Sequence, residues 1–209
     1  MDFSVFLNFD KSIFLWVEKI FDYSISSVIT PVLVFLTNLG DSGILWIALG
    51  IILLFFKKTR KAGITVLGAL AVMMVCNNFI LKNLFARTRP FNLEEWKDWF
   101  VYPELVKRPS SYSFPSGHSS SGFAAATGLC ASKKKRLIIP AFILAATIAF
   151  SRIYVHVHYP TDVIFGALFG ILYGLIAIFL CKWILNKLNS KLQGAEKQTA
   201  LTRFFTEAE

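Results

Sequence analysis

Charge is scarce in this chain. Of its 209 residues only 17% are Asp, Glu, Lys or Arg, where a soluble domain carries about 25%. Acid is scarcer than base: 13 acidic residues stand against 22 basic ones, for a net charge of +9. Histidine occurs only at His118, His156 and His158, and cysteine only at Cys76, Cys130 and Cys181. The cysteines lie inside apolar runs without metal-ligand spacing, so they read as small packing residues. No basic region, apolar stretch and small-residue cleavage site opens the chain, so membrane insertion is expected to rely on the first membrane helix. No internal repeat is visible.

Hydrophobic residues are abundant, at 55% of the chain, and the mean hydropathy is +0.57. They are gathered into long runs rather than spread at amphipathic spacing, which reads as membrane spans. The expected fold is all-α and polytopic, with six transmembrane helices near 24–39, 43–56, 62–82, 117–132, 137–157 and 162–185. Val163 to Cys181 carries no charge at all. The second span is short, but Lys57 and Lys58 extend it by snorkelling. The fourth opens on His118-Ser119-Ser120-Ser121, too polar to face lipid, so that end should be buried in protein. Its Gly122, Ala124, Ala125, Ala126 and Gly128 allow close helix packing.

Residues 1–22 mix apolar and charged side chains. They suit an interfacial amphipathic helix and equally an ordinary packed helix. Residues 1–188 form one membrane-embedded domain on this reading, with its core at 24–185. Residues 189–209 form a polar cytoplasmic tail.

The cations cluster between apolar runs, as in cytoplasmic loops, and this argues against nucleic acid as a partner. Lys57, Lys58, Arg60 and Lys61 form one such loop, and Lys133, Lys134, Lys135 and Arg136 another, both without acid. With both loops inside, six spans leave both termini cytoplasmic and the 83–116 loop outside. That loop is the longest connection, and a long ordered loop usually has a job.

Three segments place polar groups where a membrane protein should avoid them. They are Lys82 to Arg89-Pro90, Pro115-Ser116-Gly117-His118, and Ser151-Arg152 with His158 and Asp162. The charge argument brings all three to the extracytoplasmic face. Together they match the needs of phosphoryl transfer, which must position the phosphoryl group and neutralise its oxygens. Lys82, Arg89 and Arg152 supply cations. Pro115-Ser116-Gly117 enters a helix whose first N–H groups favour an anion, with the Ser116 hydroxyl as a further donor and Gly117 allowing close approach. His158 is assigned as nucleophile and Asp162, four residues on, as its orienting carboxylate. Pro160 makes a turn leading into the last span the expected route for that contact. His118 is assigned as general acid.

Singly, each residue has a plainer reading. Lys82 or Arg87 alone is an end-of-helix snorkelling residue. Ser151 alone is a back-bonded helix serine. His156 packs. His156-x-His158 lacks the partners for zinc, and magnesium is unsupported with Asp162 the only acid near these segments. No metal or cofactor is therefore expected.

Lys82-x6-Arg89-Pro90, Pro115-Ser116-Gly117-His118 and Ser151-Arg152-x5-His158-x3-Asp162 resemble the three-part signature of the type-2 phosphatidic acid phosphatase superfamily. The match is in order, fills every signature position, and extends with its six-span plan over residues 24 to 185. The resemblance implies a metal-independent reaction through a phosphohistidine. It implies Lys82, Arg89, Ser116, Gly117 and Arg152 on phosphate, His118 as acid, and His158 with Asp162 as nucleophile pair. Soluble vanadium haloperoxidases share the signature, but six spans argue against that activity. The implied substrate is a lipid phosphate: undecaprenyl diphosphate by similarity to compact bacterial members, with phosphatidylglycerophosphate and phosphatidic acid as alternatives. A lipid phosphotransferase and a non-enzymatic lipid-phosphate binder are the readings of other classes.

Overall fold

The structure is a computed structural model that describes residues 3–21, 26–96 and 105–193. Part of the long loop, at 97–104, and the tail from 194 onward lie outside the described residues. Every regular element among the described residues is helical. In chain order these are α1 (Ser4–Phe21), α2 (Ser26–Leu39), α3 (Ile44–Leu54), α4 (Arg60–Met73), α5 (Lys82–Phe85), α6 (Gly117–Gly128), α7 (Lys135–Tyr154) and α8 (Pro160–Gln193). A π-helical stretch, Met74–Leu81, joins α4 to α5 without a break.

Three helical stretches are long and apolar enough to cross a membrane: Lys57–Asn92, Lys135–Tyr154 and Pro160–Ser190. The pair α2 and α3 passes the same test together, bent by 49° at the turn between them. The bend has a local cause. Ser42 (φ 54°) and Gly43 (φ 67°) are consecutive left-handed residues, which no helix continues through. α8 continues past Leu188, where the sequence suggested the polar tail begins, to Gln193.

α6 is the hub. It has 12 residues, a rise of about 18 Å, and its start is polar. Ser119, Ser120 and Ser121 are all buried, and Ser120 Oγ donates to Asn77 Oδ1 at 2.9 Å. This polar start is surrounded by protein, as its composition required. α4, α7 and α8 all pack on α6. A Cβ at Gly122 would lie 3.0 Å from Ala145 Cβ, and one at Gly128 2.9 Å from the Val66 backbone. Small residues thus set the helix spacing, since lipid-like surroundings give helices no hydrophobic drive to associate. The large apolar side chains point outward instead. Val32 and Phe35 on α2, Ile143 on α7, and Leu168, Leu172 and Phe179 on α8 are exposed.

α1 packs on α7 and α8. Phe14 and Val17 are buried there, while Val5, Phe9 and Trp16 stay exposed. The helix therefore has one face in the protein and a second apolar face outside it.

Candidate active site

The three polar segments converge. Lys82, Arg89, Gly117, His118, Arg152 and His158 all line one cavity of about 1080 Å³, whose further walls include Ile47, Leu67, Leu70 and Met74 on and after α3 and α4. Cationic and apolar walls in one cavity suit a ligand with a charged head and an apolar body.

Arg89 is the most constrained cation. Its Nε donates to the Ser111 carbonyl at 2.6 Å and Nη1 to the Val157 carbonyl at 2.7 Å. Nη1 also lies 3.3 Å from His158 Nε2. Lys82 Nζ shares the same loop, donating to Ser111 Oγ at 3.2 Å and the Tyr112 carbonyl at 3.1 Å. Arg152 Nη1 donates to Thr37 Oγ1 at 2.6 Å. Its buried Nε has no partner among the described residues, and a buried donor left open is costly unless something occupies it.

His158 lies in the turn between α7 and α8, and the network sets its tautomer. A guanidinium cannot accept a hydrogen bond, so Nε2, facing Arg89, is the acceptor. Nδ1 then carries the proton and faces Asp162 Oδ2 at 3.4 Å. Burial and the neighbouring cations Arg89, Arg152 and Lys82 hold the His158 imidazole well below its ordinary pKa, so the ring is neutral. The contact to Asp162 runs through a helix start, as Pro160 suggested. Pro160 is the first residue of α8, and Asp162 Oδ2 accepts the Tyr159 N–H at 3.0 Å, one half of a capping box.

Ser116 is placed differently from the sequence expectation. Its side chain is buried as the N-cap of α6, accepting from Ser119 Oγ at 3.1 Å, and it does not line the cavity. Gly117, next to it, does. Ser151 is back-bonded to the Ile148 carbonyl at 2.6 Å. The His156 ring packs against Phe14 at 5.3 Å between centroids.

One sequence inference is corrected. Asp162 is not the only acid near these segments. Asp10 arrives from α1 and Asp41 from the α2–α3 turn, both distant in sequence. Asp10 is fully buried and takes Arg87 Nη2 at 2.8 Å, the Thr161 N–H at 2.9 Å and Thr161 Oγ1 at 2.9 Å. Arg87 Nη1 reaches Asp162 Oδ1 at 2.6 Å and Thr161 Oγ1 at 2.7 Å. Ser113 Oγ also donates to Asp162 Oδ2. Arg87 therefore does not snorkel: it is buried, stacked between the rings of Tyr159 (3.8 Å) and Phe3 (4.5 Å). Asp10, Ser113 and the role of Arg87 were missed because nothing in their local sequence announces partners 49 to 151 residues away. Asp41 bonds His118 Nε2 at 2.9 Å. Asp10 and Asp162 share Arg87 and Asp41 pairs with His118, and no group of three or more potential ligands converges among the described residues.

The PAP2 superfamily profile matches residues 61–187. An undecaprenyl-diphosphatase of Sulfolobus acidocaldarius is 36% identical over 73% of this chain and 70% of its own length. A lipid A 4'-phosphatase of Bacteroides thetaiotaomicron is 34% identical over 57% of this chain, though over only 51% of its own length. The crystal structure of Aquifex aeolicus LpxE superposes with a TM-score of 0.66 at 27% identity, covering 80% of this chain and 93% of that one. Profile, sequence and architecture agree, and the chain belongs to the PAP2 superfamily, as a lipid phosphatase.

Proposed function

We propose that the chain removes the terminal phosphate from undecaprenyl diphosphate, or a closely similar polyprenyl diphosphate, through a phosphohistidine on His158 and without metal. The observation that carries this reading is the His158 ring itself. Nδ1–H faces Asp162, and the Nε2 lone pair faces Arg89 at the cationic end of the cavity.

In this mechanism Arg89, Arg152 and Lys82 hold the phosphoryl oxygens, with the Gly117 N–H at the head of α6. His158 Nε2 attacks phosphorus, and the bond from phosphorus to the leaving oxygen breaks. His118 gives that oxygen its proton. Asp162 stabilises the imidazolium that develops on His158. Water then attacks the phosphohistidine, His118 takes the water's proton, and inorganic phosphate leaves. Three cations offset the phosphoryl charge that a metal would otherwise neutralise.

The basic loops at 57–61 and 133–136 support six spans with both termini in the cytoplasm and the site on the extracytoplasmic side. The exposed Val5, Phe9 and Trp16 of α1 support its lying at the membrane surface. Residues 1–188 then act as one membrane-embedded domain, with 189–209 as a cytoplasmic extension.

The test is phosphate release by the purified protein from polyprenyl diphosphates, phosphatidylglycerophosphate, phosphatidic acid and lipid A, with and without a sugar or lipid acceptor. Highest kcat/KM on the polyprenyl diphosphate, indifferent to acceptor, is expected. Preference for a glycerophospholipid phosphate would reassign the substrate. Acceptor-dependent loss of lipid phosphate would make the chain a phosphotransferase, and binding without turnover a binder.

A further inference from the structure

The α2–α3 turn adds a fourth segment to the site, with none of the chemistry of the other three. Gly40, Asp41, Ser42 and Gly43 all line the cavity. Two contacts tie this turn to His118, and its backbone is held in an uncommon shape. Asp41 Oδ1 lies 2.9 Å from His118 Nε2. A Cβ at Gly40 would stand 2.9 Å from His118 Cδ2 and 2.8 Å from Ile148 Cγ2, so only glycine lets the turn approach so closely. Ser42, a non-glycine residue, is held at φ 54° immediately before left-handed Gly43. Such a conformation persists only where its surroundings over-determine it.

The chemistry of the pocket explains what an acid does there. Five groups face His118: Asp41 from the α2–α3 turn, Lys82 from α5, Arg89 just beyond α5, Arg152 from α7 and His158 from the α7–α8 turn. Three of these are cations, and like charge beside a protonated ring is unfavourable. A general acid must nevertheless carry its proton when substrate arrives. Asp41 is the anion among the five, and it also interacts electrostatically with Arg152.

We propose that Asp41 is a positioning residue for the general acid. It accepts a hydrogen bond from His118 Nε2–H, fixes the ring rotation and keeps the ring protonated. The leaving oxygen of the substrate then takes that proton, and the electron pair of the breaking P–O bond stays on the oxygen. The proposal rests on the phosphatase reading above.

The test compares wild type, Asp41→Asn and Asp41→Glu in full-length protein on two substrates, phosphatidic acid and p-nitrophenyl phosphate. The first leaves as a poor alkoxide and the second as a good aryl oxide. Wild-type turnover of both substrates carries the phosphatase reading by itself, separately from the outcome for Asp41. Asp41→Asn is expected to lower kcat/KM on phosphatidic acid by on the order of tenfold to a hundredfold and to change aryl phosphate turnover little. Retained aryl phosphate turnover shows that the variant is folded with its site assembled. The alkaline limb of the phosphatidic acid profile should move to lower pH, and Asp41→Glu should restore part of the rate. Equal losses on both substrates with an unmoved alkaline limb would reduce Asp41 to a structural contact. No loss on either would remove it from the mechanism.

Discussion

Arg87 Nη1 lies 2.6 Å from Asp162 Oδ1, in a pair that is buried on both sides. The other guanidinium nitrogen holds Asp10, so one arginine joins the N-terminal helix to the turn that carries His158. Two buried carboxylates thus depend on a single cation. Arg87→Met should destabilise the fold by about 3–5 kcal/mol, because it leaves both acids uncompensated. Arg87→Lys should rescue little, since a point charge cannot span two carboxylates in a fork. Thermal unfolding in detergent checks both; a Met variant as stable as wild type would show the network to be dispensable.

The two histidines in the cavity divide the labour. His158→Ala should abolish turnover and any trapped phosphoenzyme. His118→Ala should reduce phosphatidic acid hydrolysis by about 10²–10⁴-fold, with a milder effect on an aryl phosphate. Asp162→Asn should slow turnover through the wrong His158 tautomer. His156→Ala should do little, since that ring packs on Phe14. A phosphohistidine trapped at His118 or His156 would name a different nucleophile.

Acid should act on His158 through stability as well as rate. Its folded pKa lies well below the ordinary 6.5, so below pH 6.5 the unfolded chain binds a proton that the folded chain refuses. The stability it contributes is full above that pH and is lost as pH falls toward the folded pKa. His158→Asn should flatten the fall in unfolding temperature between pH 7 and pH 5. An unchanged slope would place the acid sensitivity elsewhere.

Activity should survive excess EDTA, because Lys82, Arg89 and Arg152 supply the positive charge. Vanadate should inhibit competitively as a trigonal-bipyramidal anion. Loss in EDTA that magnesium or zinc restores would overturn the metal-free route.

Sidedness is open to thiol labelling in a background with Cys76, Cys130 and Cys181 replaced by Ala. Ser110→Cys should react with an impermeant reagent on intact cells, while Lys135→Cys should react only after permeabilisation. The reverse pattern would turn the site toward the cytoplasm.

Local sequence was enough to mark a helical, apolar chain and to single out Lys82, Arg89, Arg152, His118 and His158, which line the cavity. Apolar runs show which segments suit lipid, and the density of Gly and Ala in 122–128 shows which helix is gripped by others. The pairing of His158 with Asp162 was legible because four residues separate them and Pro160 forces a helix start between. Ser116 was legible as the entry to α6, but whether its hydroxyl faces the cavity or caps the helix depends on a single rotamer that residue type does not specify.

Only the tertiary structure decided which acids besides Asp162 join the site. Asp10 looks like one charge among several on an amphipathic helix, Asp41 like an ordinary turn residue, and Arg87 like a helix-end anchor. Their meaning comes from the distances to Asp162 and His118, set by how α1 and the α2–α3 turn pack onto α6, α7 and α8. Periodicity and spacing report contacts within a few residues along one helix. An ion pair across some 75 positions leaves no trace in local pattern, because its two ends are brought together by helix packing that neither end encodes.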